Sequence, residues 1–213
     1  VIYFIAAVYN EQDELDDLFA HVSYLVDGYA ICDDGSTDRT QEILRYYNDY
    51  GPMGDFRYKV IDHTGLPETV KNEAKNLVPD NAWCLMLDAD ERLTPTTIKS
   101  ISDWFDAGED QKYDYVYFNQ LELIDSQHVR TFQKAKLFKK EAIHFPLNNI
   151  HADDVFDGNG TFYNDWTVIH RKTTVKQIKR EQEYLDTYKR LLDEGHIDEG
   201  RYNWLRNLHH YIK

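Results

Sequence analysis

The run Trp83-Cys84-Leu85-Met86-Leu87 is unbroken apolar sequence that ends on Asp88-Ala89-Asp90-Glu91. A short run of this kind, without polar alternation, predicts a strand buried on both faces, as in a parallel sheet covered by helices. Two aspartates one residue apart then fall at the strand's carboxyl end, the edge where open α/β sheets receive ligands. Carboxylates placed this way suit a hard divalent cation, and such a cation commonly clamps phosphate oxygens.

The surrounding sequence alternates strand and helix. Ile2–Val8, 29–32 and 56–61 predict three further strands. Asn10 is a candidate helix N-cap, with Asp13 as a short stand-in for the capping-box glutamate. Leu15, Leu18, Phe19, Val22 and Leu25 follow at helical spacing. Helices are expected over 37–47 and 68–77, and Thr94-Pro95 is a cap-plus-proline signal for another that runs to about Phe105. This order predicts an α/β fold: a doubly wound, mainly parallel sheet flanked by helices.

The second half changes character. Segments 113–124 and 130–139 predict a small antiparallel hairpin around Asp125-Ser126-Gln127-His128, and 160–169 another strand. The tail predicts a helix over 175–194, stopped by Gly195, and a last helix over 199–211. The economical domain reading is one unit over residues 1–172 with a helical C-terminal extension over 173–213 of the same domain.

Composition narrows the function classes. With 42% hydrophobic and 29% charged residues over 213 positions, the chain can bury a real core. A net charge of −14 argues against a general nucleic-acid binder and, more weakly, against stable adhesion to an anionic membrane. No stretch reaches the roughly 18 apolar residues of a membrane span. Cys32 and Cys84 fall in predicted strands and read as reduced core thiols, which fits a reducing compartment. The chain opens at Val1-Ile2 in strand sequence, so no signal peptide and a trimmed start are expected, with a cytoplasmic location.

Three segments together resemble the GT-A fold glycosyltransferases of family 2: Val8-Tyr9-Asn10-Glu11 after the first strand, Asp33-Asp34-Gly35-Ser36-Thr37-Asp38 after the second, and Leu87-Asp88-Ala89-Asp90-Glu91. The resemblance covers roughly residues 1–175. It implies an inverting transfer of a sugar from a nucleotide-sugar donor, UDP by preference, to a hydroxyl on a glycan, a lipid-linked or another acceptor. It also implies Mn²⁺ or Mg²⁺.

On this resemblance, the donor residues are Ala7, Tyr9, Glu11, Asp34, Lys71, Asn72 and Asp88. Ala7 and Tyr9 would wall the base, and the Asp34 carboxylate can accept from a uracil N3–H. Lys71-Asn72 stands where the family usually has Arg-Asn, and a lysine offers a point charge in place of a bidentate fork. Asp90 would bind the cation directly, Asp88 would reach the ribose and the metal shell, and His170 would be a third ligand, with His144 or His151 as substitutes. Glu91 reads equally as a helix-edge carboxylate.

An inverting transfer needs a carboxylate base for the acceptor hydroxyl. The candidate loop is His151-Ala152-Asp153-Asp154, where the family often has His-Glu. The departure leaves both Asp153 and Asp154 as candidate catalytic residues, with Asp153 preferred. Lys176, Lys179, Arg180, Lys189 and Arg190 on the tail helix read as a solvated face, or as a docking surface for an anionic acceptor or a peripheral lipid headgroup. The His209-His210 pair reads as no metal site.

Two other classes compete. Asp88-Ala89-Asp90 with Asp153-Asp154 mimics a haloacid-dehalogenase-type phosphohydrolase, although that nucleophile normally follows the first strand. A catalytically silent nucleotide-sugar-binding protein would keep the fold without a base.

Overall fold

The computed structural model describes residues 1–51, 54–146 and 154–208. In chain order the first half runs β1 (Ile2–Val8), α1 (Leu15–Val22), β2 (Gly28–Asp33), α2 (Thr40–Tyr50), β3 (Asp55–Val60), α3 (Pro67–Asn76) and β4 (Trp83–Met86). Then come β5 (Glu91–Leu93), α4 (Pro95–Asp106), the long hairpin β6 (Tyr115–Ile124) and β7 (Gln127–Lys139), and the short strands β8 (Ile143–His144) and β9 (Val155–Phe156). β10 (Gly160–Lys172), α5 (Thr174–Asp193) and α6 (Glu199–Leu208) complete the described chain.

Eight strands form one sheet in the order β3-β2-β1-β4-β7-β6-β10-β5. β1, β2, β3 and β4 are mutually parallel where they pair, and β10 is parallel to β6. β7 runs antiparallel to both β4 and β6, and β5 antiparallel to β10. β8 and β9 make a separate two-stranded sheet. The α/β class with a mainly parallel sheet therefore holds.

The chemistry of each strand explains its place. β2 is Gly-Tyr-Ala-Ile-Cys-Asp with every residue buried, as expected for a strand covered on both faces. One face of β1 and β2 packs Phe4, Tyr29 and Ile31 against Leu15, Phe19 and Val22 of α1. The other face carries Tyr3, Ile5 and Ala30 with Val78 and Met86. Each such fully buried side chain contributes about 1.5–3 kcal/mol of transfer free energy. Cys32 and Cys84 are buried and unpaired, and burial pushes both thiols up to about 12, so they are inert core residues.

Several local predictions hold in detail. Thr94 Oγ1 accepts from Thr97 N at 3.2 Å and caps α4. Asp125 and Ser126 both take positive φ, 49° and 66°, as a two-residue hairpin turn requires. Gly195 follows α5 at φ 75°.

Asn10 differs from expectation. It does not cap α1, which starts at Leu15 without a side-chain cap. Asn10 sits at φ 55°, and its Oδ1 accepts from Thr37 N at 2.8 Å and Asp38 N at 3.3 Å. The side chain thus satisfies donors of the loop after β2 and ties it to the loop after β1.

The order of the sheet reverses between β1 and β4. From β1 the chain steps outward to β2 and β3, then returns to the other side of β1. A switch of this kind opens a crevice at the strands' carboxyl ends, because the flanking loops leave in opposite directions. Those ends carry Tyr9-Asn10-Glu11, Asp33-Asp34-Gly35-Ser36 and Asp88-Ala89-Asp90.

Candidate functional site

At the crevice an open cleft of about 560 Å³ is lined by Ala7, Tyr9, Glu11 and Asp34 from the first two strand ends. His63, Gly65 and Val70 form a second wall, and Arg180, Tyr184 and Thr187 of α5 form the third. Asp34 is buried, 5% exposed, and its carboxylate brackets the 63–65 loop. Oδ1 accepts from Thr64 N at 2.7 Å and Thr64 Oγ1 at 2.9 Å, and Oδ2 from Gly65 N at 2.9 Å. His63 Nδ1 lies 3.0 Å from Asp34 Oδ2. The His63 ring stacks on Tyr9 with centroids 4.3 Å apart, so a planar ligand must lie beside this pair rather than between its rings.

Asp33, next to it, is wholly buried and accepts from Ser36 N at 3.0 Å and from the Ser36 hydroxyl. It therefore shapes the turn and faces no cleft, and burial raises its pKa despite these bonds. Gly35 takes φ 71°, and a Cβ there would lie 3.0 Å from His63 N and 3.1 Å from Ile61 O. Glycine at this position lets the turn pass close under the 61–63 backbone.

The second group of side chains stands at the end of β4. β5 pairs with β10 so that Glu91 lies opposite His170, and Gln120 of β6 meets the same ring. Asp88, Glu91 and His170 offer ligand atoms within 4.8 Å of one another. Asp90 Oδ1 lies 3.0 Å from His170 Nε2, and Gln120 Nε2 lies 3.0 Å from His170 Nδ1. Burial works against the charged Asp90, but His170 outweighs it and holds the carboxyl below the usual range. Glu91 accepts from Asp88 N at 2.9 Å and pairs with Lys136. Its second oxygen is buried without a hydrogen-bond partner among the described residues and lies 3.9 Å from His170 Nδ1. A carboxylate oxygen without a hydrogen bond, beside a second carboxylate and an imidazole, is a donor set that could hold a hard divalent cation.

Arg92, buried at 8% exposed, anchors this turn. It donates to the carbonyls of Ala89 and Glu91 at 2.7 and 2.8 Å, and its Nε reaches Asp17 of α1 at 2.9 Å. Nothing in the local sequence marks it for this role, because Asp17 lies 75 residues away.

Two flanks complete the site. Glu11 is 5% exposed, and α5 supplies its counter-ions: Lys176 Nζ at 2.9 Å and Arg180 Nη2 at 2.9 Å. Desolvation still pushes the Glu11 carboxyl up. Asp90 lies near enough to raise the pKa of both cations. The α5 charges expected to form a solvated face are therefore divided, since Lys176 and Arg180 turn inward while Lys189 pairs with Asp193 on the surface. Lys176 and Arg180 are four residues apart and so share a helix face, which was the available signal.

On the other flank, Lys71 of α3 and Lys134 and Lys136 of β7 surround Asp88. Burial opposes the charged Asp88, but Lys136, Lys71 and Lys134 outweigh it and hold the carboxyl well below the usual range. Asn72 is the partly buried neighbour of Lys71 on α3. Asp154 is partly buried and lies near Glu68 and Lys71. Asp153, His151 and the His209-His210 pair lie outside the described residues. His144 is exposed and lies 2.9 Å from Asp157.

The comparisons with known proteins agree with this fold. The model of the family described as Glycosyl transferase family 2 matches residues 3–157. No significant match was found among curated proteins. Among solved structures, TarS 1–349 of S. aureus is similar at 14% identity and a TM-score of 0.60, over 96% of this chain and 69% of that one. The chain spans 43% of a longer TarS chain. TarS 1–349 in complex with UDP-GlcNAc matches at 13% identity and a TM-score of 0.59, over 96% of this chain and 70% of that one. The mannosyltransferase PcManGT of Pyrobaculum calidifontis, in complex with GDP-Man and Mn²⁺, matches at 13% identity and a TM-score of 0.58. That match covers 98% of this chain and 68% of the mannosyltransferase.

Proposed function

The chain belongs to glycosyl transferase family 2, and from that premise we propose that it moves a sugar from a nucleotide-sugar donor, UDP-linked by preference, to an acceptor hydroxyl with inversion, aided by Mn²⁺ or Mg²⁺. The observation that carries this reading is the convergence of three strand-end turns on one crevice. Tyr9, Asp34 and His63 make an aromatic and acidic end, and Asp88, Asp90, Glu91 and His170 a cation-binding end.

In this reading the base lies against Tyr9, with the Asp34 bracket holding the loop that frames it. Asp88, Glu91 and His170 would hold the cation, which when bound would supply Lewis-acid neutralisation of the diphosphate. Asp90 orients the His170 ring through its Nε2 hydrogen bond, so Nδ1 is the nitrogen that would turn to the cation, exchanging its hydrogen bond with Gln120 for the ion. Lys176 and Arg180 place two positive charges beside Asp90, where they favour a departing diphosphate. Asp153 or Asp154 takes the acceptor's proton. The complexes of TarS with UDP-GlcNAc and of PcManGT with GDP-Man and Mn²⁺ support the donor class and the cation by analogy.

The phosphohydrolase reading loses support, because Asp88 follows the fourth strand and the family match runs through it. No described helix is long and apolar enough to cross a membrane. The test is a panel of UDP- and GDP-sugars incubated with Mn²⁺ or with EDTA, with nucleotide release as the readout. Slow, metal-dependent release from one donor is expected. Release from none, with turnover of p-nitrophenyl phosphate, would contradict the reading.

A further inference from the structure

β6 turns one buried face inward through alternate residues, Val116, Phe118, Gln120 and Glu122. The first two belong to the apolar core, and Glu122 is satisfied by Lys172 and Arg130. Gln120 differs from all three. It is 3% exposed and its Nε2 lies 3.0 Å from His170 Nδ1, but its Oε1 is buried without a hydrogen-bond partner among the described residues. A buried amide oxygen left unpaired is destabilising, and in a native protein it signals an ion, an ordered water or a catalytic role.

The neighbours of the amide explain why its oxygen is left over. Asp90 Oδ1 lies 3.0 Å from His170 Nε2, so that nitrogen carries the proton and donates it to the carboxylate. Nδ1 then presents a lone pair, to which Gln120 can offer only an N–H, and the amide oxygen is turned away. Beside them stands the other unpaired oxygen of the site, Glu91 Oε1, 3.9 Å from the same Nδ1. Strand register brings the three together. On β10, Val168 pairs with Gln120 of β6 and His170 with Glu91 of β5, so amide, imidazole and carboxylate come from three adjacent strands onto one face. An octahedral Mg²⁺ site with ligands at about 2.1 Å sets neighbouring donors about 3.0 Å apart, which is the spacing of the Gln120 amide from Nδ1. Resting on the cation site of the proposed function, we propose that Gln120 Oε1 is a further ligand of the divalent cation, beside Asp88, Glu91 Oε1 and His170 Nδ1. Rotation about the Cγ–Cδ bond exchanges the two ends of the amide. When Nδ1 gives its lone pair to the ion, the N–H that loses its acceptor is thus replaced by the oxygen. Gln120 adds a hard, neutral donor to the two carboxylates and no further negative charge.

The experiment is titration of Mn²⁺ alone into the full chain, read by calorimetry and by pulsed EPR of the bound ion, for the wild type, Gln120→Met and Gln120→Glu. Bound Mn²⁺ in the wild type shows coupling to an imidazole nitrogen, from His170. Gln120→Met keeps that coupling and binds Mn²⁺ about 10-fold more weakly. Its Tm in EDTA equals or exceeds that of the wild type, because the unpaired oxygen is gone. Gln120→Glu offers a charged oxygen at the same reach and binds Mn²⁺ about 10-fold more tightly. Unchanged affinity in Gln120→Met overturns the proposal. So does a Gln120→Met variant that loses the imidazole coupling together with affinity, or a Gln120→Glu variant that binds more weakly, since either makes Gln120 a positioning residue for His170. Absence of Mn²⁺ binding, or of imidazole coupling, in the wild type overturns the cation site of the proposed function, and this ligand with it.

Discussion

Lys136→Met is the sharpest test of how the end of β4 is held. Lys136 is 1% exposed and Glu91 0% exposed, and they form a wholly buried ion pair. Removing one partner of such a pair typically costs about 3–5 kcal/mol, because the other charge is stranded. An unfolding entropy of about 2.1 cal/mol/K per residue over 213 residues comes to about 0.45 kcal/mol per degree. The expected fall in Tm is therefore roughly 7–11 °C. Glu91 keeps only its bond from Asp88 N, so the turn that presents Asp88 and Asp90 should loosen with it. The assay is calorimetric or circular-dichroism melting of four proteins: wild type, Lys136→Met, Glu91→Gln and the double variant. The double variant should recover at least half of the loss, since it strands no charge. Added Mn²⁺ should restore part of the stability of Lys136→Met, because Glu91 is then free to serve the cation with both oxygens. A loss below about 1 kcal/mol in Lys136→Met, or a double variant that loses the sum of the singles, would refute the argument that this pair is buried and coupled.

Asp154→Asn and Asp153→Asn separate the two candidate bases; the true one should keep donor binding and lose about 10²- to 10⁴-fold in transfer rate, and full activity in both variants would remove this loop from catalysis. Lys176→Met should cost about 1–2 kcal/mol, less than a full pair, since Arg180 still faces Glu11. The sign of its pH dependence follows from the raised Glu11 carboxyl: stability present below the unfolded pKa is lost as pH rises through the folded one. Losing Lys176 widens that window upward, so urea melts should show a greater loss at pH 8 than at pH 5; a loss that grows toward acid would reverse the assignment. Gly35→Ala forces a side chain onto φ 71° against the 61–63 backbone. It should cost about 1–3 kcal/mol and weaken donor binding, and a variant as stable as wild type would show that the turn can relax.

Much of the framework was legible because its signals are local. Ile2–Val8 and the Trp83 run are buried parallel strands with uniform apolar sequence, and their ends carry the acidic turns. The Asp125-Ser126 hairpin and the Thr94 cap depend on two to four adjacent residues. What stayed hidden depends on partners far along the chain. β5 is three residues long, too short for any periodicity, and exists because β10 pairs with it. Its pairing is what brings Glu91 to His170. Glu11 finds Lys176 and Arg180 from 165 and 169 residues away, and only the docking of α5 over the crevice turns those cations inward. Lys134 and Lys136 look like ordinary polar positions of a strand. They become site residues because β7 runs along β6 beyond its pairing with β4, which sets them beside the Asp88 turn. Asn10 read as a helix cap because its neighbours fit that pattern, but the loop after β2 offered its side chain stronger donors.

The most direct measurement of the central claim is a calorimetric titration of the accepted nucleotide-sugar into the wild-type protein and into Asp90→Ala, each with Mn²⁺ and with EDTA. A cation held between these carboxylates and the donor's phosphates predicts at least tenfold tighter binding with Mn²⁺ in the wild type, and loss of that metal dependence in Asp90→Ala, where His170 is no longer oriented. Equal donor affinity in EDTA and Mn²⁺, or an Asp90→Ala variant that keeps the full metal effect, would contradict it.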